Sequence, residues 1–593
     1  MVRLNTLLPL AATTAVAVSA SYAPGRRADT DVLVSSQVLG KPFPYEFPRN
    51  GQDGSKLFPV EDCHGVNFEE VDIDQIQSWM SSGKLTSQQV AQCYLQRINQ
   101  VDGYVNAIME HNPDLMTIAA ALDEERKQGN VRGPLHGVPF IVKDNIGTKD
   151  KMETTAGSWS LLGSVLPRDS HVIHRLRKAG ALLLGKATLS EWADMRTNNY
   201  SEGYSGRGGQ CRSAYNLVVN PGGSSSGSGV AVGANMIPFA LGTETDGSVV
   251  NPASRNGIVG IKPTVGLTSR AGVVPESLNQ DTVGVHAKTV RDATYVLDAI
   301  YGVDKRDNAT SAQVGKVPPK ATGYKHFLTD KSALRGARFG VPWDSFWRLA
   351  PATQQQQLGE LIRLIRDAGA EVVNGTEIPT RKLLVSPDGW NWDYGTTRGY
   401  PNESEYTYIK VDFYNNIRTY LSELNNTDIK SLEDIVQYNY DNDGAEGGNP
   451  GTHPAFASGQ DGFLASLATK GEINETYWQA LNFCRRASRE DGIDAALYNK
   501  GDKVDLLLIP TEVAQAPQVA AQAGYPIINL PAGVTPETGM PFGLGLMGTA
   551  FSEATLVRYA SAIEDLQKTS GTQQKRQLPT WRNYKSRIIP VPF

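Results

Sequence analysis

Three short segments hold residue types that together could make a nucleophile. In the first, residues 135–144, an apolar run ends on Lys143 with Asp144 beside it. A free lysine titrates near about 10.4, and removal from water disfavours its charged form. A general base needs a pKa of roughly 7 to 8, so a desolvated lysine qualifies. Alone, Lys143 reads more simply as a snorkelling residue at a strand end. The second segment is Pro221-Gly222-Gly223-Ser224-Ser225-Ser226-Gly227-Ser228-Gly229. Its glycines open backbone conformations closed to other residues, and its serines offer hydroxyls. The third is Gly242-Thr243-Glu244-Thr245-Asp246-Gly247-Ser248, directly after the apolar residues 237–241. A glycine-containing turn at a strand end can aim successive N–H groups at an anion. Beside Ser248 such a nest would be an oxyanion hole. By itself the segment reads as a polar turn.

The second segment admits other chemistry. A phosphate cradle lacks the Gly-Lys-Ser/Thr of a P-loop. Gly223 to Gly227 also spells G-x-S-x-G, with Ser225 as the nucleophile of an elbow. That reading needs a preceding strand, for which residues 216–220 are the candidate, and a histidine from among His286, His326 and His453. The third segment accounts for more, so Ser248 is preferred and Ser225 is the alternative.

The surrounding elements alternate. Ile73, Ile76 and Met80 stand at helical spacing, and Thr86 opens a second helix with Gln89 at capping-box distance. Residues 138–142 predict a strand, Asp169-Ser170 a helix start, and 181–184 a strand. Residues 189–195 predict a helix, 227–234 a small-residue helix, 237–241 a strand, and Thr289 with Asp292 a capped helix. Strand–helix alternation predicts an α/β sheet covered by helices. Residues 305–480, richer in Asn, Tyr and Gly, read as an elaboration on one core, with a loop-like segment at 441–460. Strand patterns resume at 504–509 and 526–530.

Composition narrows the class. With 593 residues and a formal charge of −5, no basic patch points to nucleic acid. Residues 1–23 read as a secretory signal peptide: Arg3, a short apolar run from Leu7 to Val18, then small residues ending at Ala20 or Ala23. Arg26-Arg27 is a second candidate processing point. Residues 24–65 read as an N-terminal arm and 66–593 as a single domain. Asn-x-Ser/Thr sequons begin at Asn199, Asn308, Asn374, Asn402, Asn425 and Asn474, which fits a secreted glycoprotein. Beyond the leader, the sequence shows no further long apolar run, so no stable membrane insertion is expected. Cys63, Cys93, Cys211 and Cys484 allow three full pairings, which sequence leaves open. Cys93 also fits a buried thiol.

In order and spacing, the three segments resemble the amidase signature family. The likeness includes Thr154-Thr155-Ala156-Gly157-Ser158, Gly185-Lys186-Ala187-Thr188-Leu189-Ser190-Glu191 and Gly257-Ile258-Val259-Gly260-Ile261-Lys262-Pro263-Thr264. It runs densely from Ile73 to Tyr301 and returns from Asp505 to Leu566. The resemblance implies a mixed central β-sheet sandwiched between α-helices, an α/β fold. It implies Ser248 as nucleophile, Ser224 as bridging serine beside a cis peptide bond, and Lys143 as base. It places the oxyanion hole on the N–H groups of Thr245, Asp246, Gly247 and Ser248. The implied substrate is a small-molecule or peptide amide, with no metal or organic cofactor. Asp246-Gly247 before the serine and Arg207-Gly208-Gly209-Gln210 resemble the peptide-amidase branch. Ser226, Cys211, Asn251 and Val285 depart from the usual pattern. Three competing readings carry different expectations. A component of the tRNA-dependent amidotransferase conflicts with the leader. A fatty-acid-amide hydrolase needs an apolar membrane face. A non-catalytic binding protein would keep the fold without needing all three residues. The sequence does not specify an oligomeric state.

Overall fold

The computed structural model describes residues 57–498, 503–586 and 591. The expected leader and most of the arm lie outside the described residues.

Eleven strands make one mixed sheet. In chain order they are β1 (Ile108–His111), β2 (Pro139–Lys143), β3 (Leu182–Ala187), β4 (Phe239–Glu244), β5 (Val259–Lys262) and β6 (Thr282–Ala287). The remainder are β7 (Arg338–Val341), β8 (Glu371–Asn374), β9 (Leu506–Pro510), β10 (Ile527–Val534) and β11 (Pro541–Met547). Their spatial order is β1-β3-β2-β4-β6-β5-β10-β11-β9-β7-β8. The pairs β2–β3 and β2–β4 are parallel, as are β9–β7 and β7–β8, and the others are antiparallel. The central strands are buried on both faces, which is why they read as unbroken apolar runs. Helices cover the sheet, and the expected α/β sandwich is what forms.

Several helices follow their sequence signals. Ile73, Ile76 and Met80 form the buried stripe of Ile73–Ser81. The capping box opens Ser87–Val105: Thr86 Oγ1 accepts from the Gln89 N–H at 3.2 Å, and Gln89 Oε1 accepts from the Thr86 N–H at 2.9 Å. Thr289 caps Val290–Ile300, but the Asp292 carboxylate accepts from the Ile73 N–H at 3.0 Å instead of bonding back. Ser170 precedes His171–Lys178 without a side-chain cap, and Asp169 accepts from the Lys149 N–H at 2.7 Å.

Residues 189–195 differ from the expected helix. Only a 3-10 turn forms at Glu191–Asp194, with Trp192 and Ala193 left-handed at φ 51° and 55°. Tertiary contacts override the local pattern: the Ala156 carbonyl takes the Trp192 N–H at 2.9 Å, and the Trp192 ring packs edge-on against Phe463.

The middle stretch divides in two. Arg338–Asn374 adds a parallel β-α-β unit to the sheet, with Ala352–Asp367 as its helix. From Glu405 onward, the helices Glu405–Glu423, Leu432–Asp441, Asp461–Ala468 and Glu475–Ser488 build a second apolar cluster with Trp192 and Met195. The 441–460 loop is pinned from inside. Buried Glu446 accepts from the Trp159 N–H at 2.7 Å and pairs with buried Arg196, which also pairs with Glu191. Cys63 and Cys93 form a disulfide, and Cys211 and Cys484 are free and buried. Among the described residues, no helix is long and apolar enough to cross a membrane.

Candidate active site

Strand pairing brings the three sequence segments to one point. Parallel β2 and β4 run side by side, so Lys143 at the end of β2 sits beside Thr243 of β4. The Lys143 ammonium lies 2.7 Å from Ser224 Oγ and 2.9 Å from Thr243 Oγ1. Asn145 Nδ2 donates to the same threonine oxygen at 2.9 Å. The lysine is wholly buried, and burial lowers its pKa from 10.5 to about 8. Charges at Glu276, Asp194, Glu202 and Glu244 oppose that fall. Ser224 Oγ is in turn 3.0 Å from Ser248 Oγ.

Small residues allow this approach. The helix Ser226–Gly233 is buried along its whole length. A Cβ on Gly227 would fall 2.4 Å from the Ala107 carbonyl oxygen, and one on Gly223 would fall 1.7 Å from Glu202 Oε1. This glycine- and serine-rich segment is therefore a close-packed backbone. The peptide bond between Gly223 and Ser224 is cis. The Ser224 carbonyl accepts from the Ser190 N–H at 3.1 Å, and the Ser225 N–H donates to the Ser248 carbonyl at 3.3 Å.

The turn from Thr245 to Ser248 leads β4 into the short helix Val250–Arg255. Gly247 has φ +81°, and no atom lies within 4 Å of where a Cβ would stand. Among the described residues, none accepts a hydrogen bond from the N–H of Thr245, Asp246, Gly247 or Ser248. Glu244 fixes the turn from below: its Oε2 accepts from the Val249 and Val250 N–H groups at 2.7 and 2.9 Å. Gln280 holds it from the side by donating to the Thr245 carbonyl at 3.1 Å and to Glu405 at 2.8 Å. Trp390 donates its indole N–H to Asp246 Oδ2.

The elbow alternative does not assemble. Ser225 Oγ donates to the Thr243 carbonyl at 3.0 Å and accepts from the Thr243 N–H at 3.2 Å. Residues 216–220 form no strand beyond a single bridge at Asn216. Of the three histidines, His286 Nε2 bonds to the Val249 carbonyl, His453 pairs with Tyr204, and His326 lies in a distant turn at Tyr324–Phe327.

Comparison with known proteins identifies the scaffold. The profile of the family described as Amidase matches residues 89–438. The chain belongs to the amidase family. A Schizosaccharomyces pombe protein that carries an amidase designation is 54% identical over 565 residues, covering 94% of each chain. An Arabidopsis thaliana protein with the same designation is 40% identical over 500 residues, covering 84% of this chain and 90% of its own. Native peptide amidase from Stenotrophomonas maltophilia superposes with a TM-score of 0.74 at 37% identity, covering 86% of this chain and 99% of that one. This chain is accordingly an amidase, a hydrolase of amide bonds.

In this amidase Ser248 opens on a cavity of about 440 Å³. Thr245, Asp246 and Gly247 line it, together with groups that sequence reasoning did not single out. Asp194, Glu202 and Glu276 form one wall, with Tyr200. Burial raises the pKa of each of these three carboxyls. Arg255 and Glu512 face the cavity as an ion pair at 2.9 Å. Asp388, Trp390 and Trp392 form the side contributed by the middle stretch. Asn251, a departure from the family pattern, accepts from the Gly223 N–H at 3.3 Å and so steadies the backbone before Ser224. Isolated acids and tryptophans carry no local sequence signature, and only tertiary folding gathers them.

Proposed function

We propose that this chain is a secreted amidase that hydrolyses carboxamides, peptide C-terminal amides among them, through Ser248, Ser224 and Lys143. The observation that carries the reading is the continuous chain of contacts, 2.7 Å from Lys143 to Ser224 and 3.0 Å from Ser224 to Ser248, ending at a cavity. While the ammonium is charged, it donates toward Ser224 and Ser224 donates toward Ser248. Loss of one proton reverses the chain. Neutral Lys143 then accepts from Ser224 as Ser224 accepts from Ser248, and Ser248 Oγ attacks the amide carbon. The developing oxyanion accepts from the free N–H groups of the Thr245–Ser248 turn. The proton returns through Ser224 to the leaving nitrogen, the C–N bond breaks and ammonia departs. Water, activated by the same relay, hydrolyses the acyl-enzyme and restores Ser248.

Secretion rests on the leader pattern, the sequons and the Cys63–Cys93 bridge, since disulfides persist in oxidising compartments. Ammonia release from blocked peptide amides tests the chemistry. Wild-type protein should release ammonia, and purified, folded Ser248→Ala should not. Equal release by both would sink the assignment. N-terminal sequencing of protein from culture medium tests export, and an intact Met1 on cytosolic protein would contradict it.

A further inference from the structure

We propose that the catalytic cavity selects amides whose acyl portion carries a cation, held between the Asp388 carboxylate and the rings of Trp390 and Trp392. This inference rests on the Ser248 reading above and adds a substrate class to it.

Apart from the N–H groups of the Thr245–Ser248 turn, the cavity offers no free positive charge to an anion. Among the described residues, the one cationic side chain at its lining, Arg255, is occupied on both sides. Its Nη1 pairs with Glu512 at 2.9 Å, and its Nε donates to the Asn220 carbonyl at 2.7 Å. Lys143 lies behind Ser224, wholly buried and already bonded to Ser224 and Thr243. Away from that turn, a substrate carboxylate entering here would lose its water without gaining a charged partner. The acidic groups are arranged the opposite way. Oδ1 of Asp194 and Oδ1 of Asp246 are enclosed and accept no hydrogen bond among the described residues. Both belong to cavity-lining residues.

Asp388 is the group best placed to meet a charge. It lines the cavity, is exposed, and its carboxylate makes no hydrogen bond or ion pair among the described residues. Only its backbone is engaged, donating to Ser386 Oγ at 3.1 Å. Two indoles close by in sequence line the same cavity. The Trp390 and Trp392 ring centroids are 5.3 Å apart, and Trp392 is stacked on Tyr406 at 4.5 Å. Trp390 is further fixed by its bond to Asp246, next to the oxyanion turn. Among the described residues, no lysine or arginine lies over either indole. A free carboxylate and indoles lining one cavity suit an ammonium or guanidinium, because the ring quadrupole and the carboxylate attract the same charge. An exposed carboxylate is ordinarily just solvated. Here it lines the cavity onto which Ser248 opens, and that position is what would let it act on turnover.

The test uses three blocked amides with one variable: Nα-acetyl-lysinamide, Nα-acetyl-norleucinamide and the α-amide of Nα-acetyl-glutamic acid. Wild-type kcat/KM should fall in the order lysine, norleucine, glutamate. The lysine-to-norleucine ratio should be on the order of 10, corresponding to about 1.4 kcal/mol. Added salt should reduce it, because the rim is open to solvent. Asp388→Asn should bring the ratio toward one, and Asp388→Lys should favour the glutamate substrate. Ratios are read within one preparation, so a partial loss of folded enzyme cancels. A wild-type ratio of one or less, or an unchanged ratio in Asp388→Asn, overturns this inference alone while Ser248-dependent norleucinamide turnover stands. No ammonia from any of the three overturns the carboxamide reading and this inference with it.

Discussion

At the scale of residues, the account turns on one lysine that must lose its proton. The Lys143 pKa is brought from an ordinary 10.5 to about 8, with burial as the leading cause. In the proposed mechanism the neutral form is the base, and its population grows as pH rises through about 8. Activity should climb along that limb and flatten above it. Lys143→Ala should lose about 10² to 10⁴-fold in kcat together with the limb, the usual worth of a positioned base. Lys143→Arg should fail equally, since a guanidinium stays protonated. A steady-state pH profile of the three proteins decides this. An arginine variant with the wild-type profile would make the lysine structural.

At the scale of elements, the site depends on how β4 turns into the helix Val250–Arg255. Glu244 ends the strand and receives the first two N–H groups beyond Ser248, so one carboxylate helps set the position of Ser248. Glu244→Gln keeps the shape and removes the charge that strengthens both bonds. We expect kcat to fall by about 10-fold with KM little changed, because one weakened charge-assisted contact is worth about 1.5 kcal/mol and acts on the oxyanion turn. Steady-state kinetics on a blocked amide would show it, and a rise in KM alone would contradict the assignment. The same elements explain what sequence made legible. Lys143, Ser224 and Ser248 each end or follow a local pattern (an apolar run, a glycine-serine run, a turn after a strand), but Lys143 and the Ser248 turn alone read as ordinary, and the order and spacing of the three segments carried the reading. Trp192 turned left-handed against the helical pattern because Ala156 and Phe463 decide its conformation from distant positions. Glu202 was invisible for the same reason. Its place against Gly223 comes from folding, not from any neighbour in the chain.

At the scale of the whole molecule, the amidase core and the middle stretch are joined at the cavity. The core supplies Ser248, and the middle stretch supplies Trp390, Trp392 and the Glu405 that anchors Gln280. The disulfide ties residues 30 apart, Cys63 to Cys93 in the second helix. Replacing both cysteines by serine should lower stability by about 2–4 kcal/mol by freeing the unfolded chain. Urea unfolding would register this, and an unchanged midpoint would show that the bridge adds nothing in solution.

The most direct measurement of the central claim is the site of covalent capture. Purified enzyme is treated with a serine-directed fluorophosphonate, then digested and mapped by mass spectrometry. The account predicts one adduct, on Ser248, with loss of amide hydrolysis in proportion to labelling and with no labelling of Ser248→Ala. An adduct on Ser225, or full labelling of Ser248 with turnover undiminished, would contradict it.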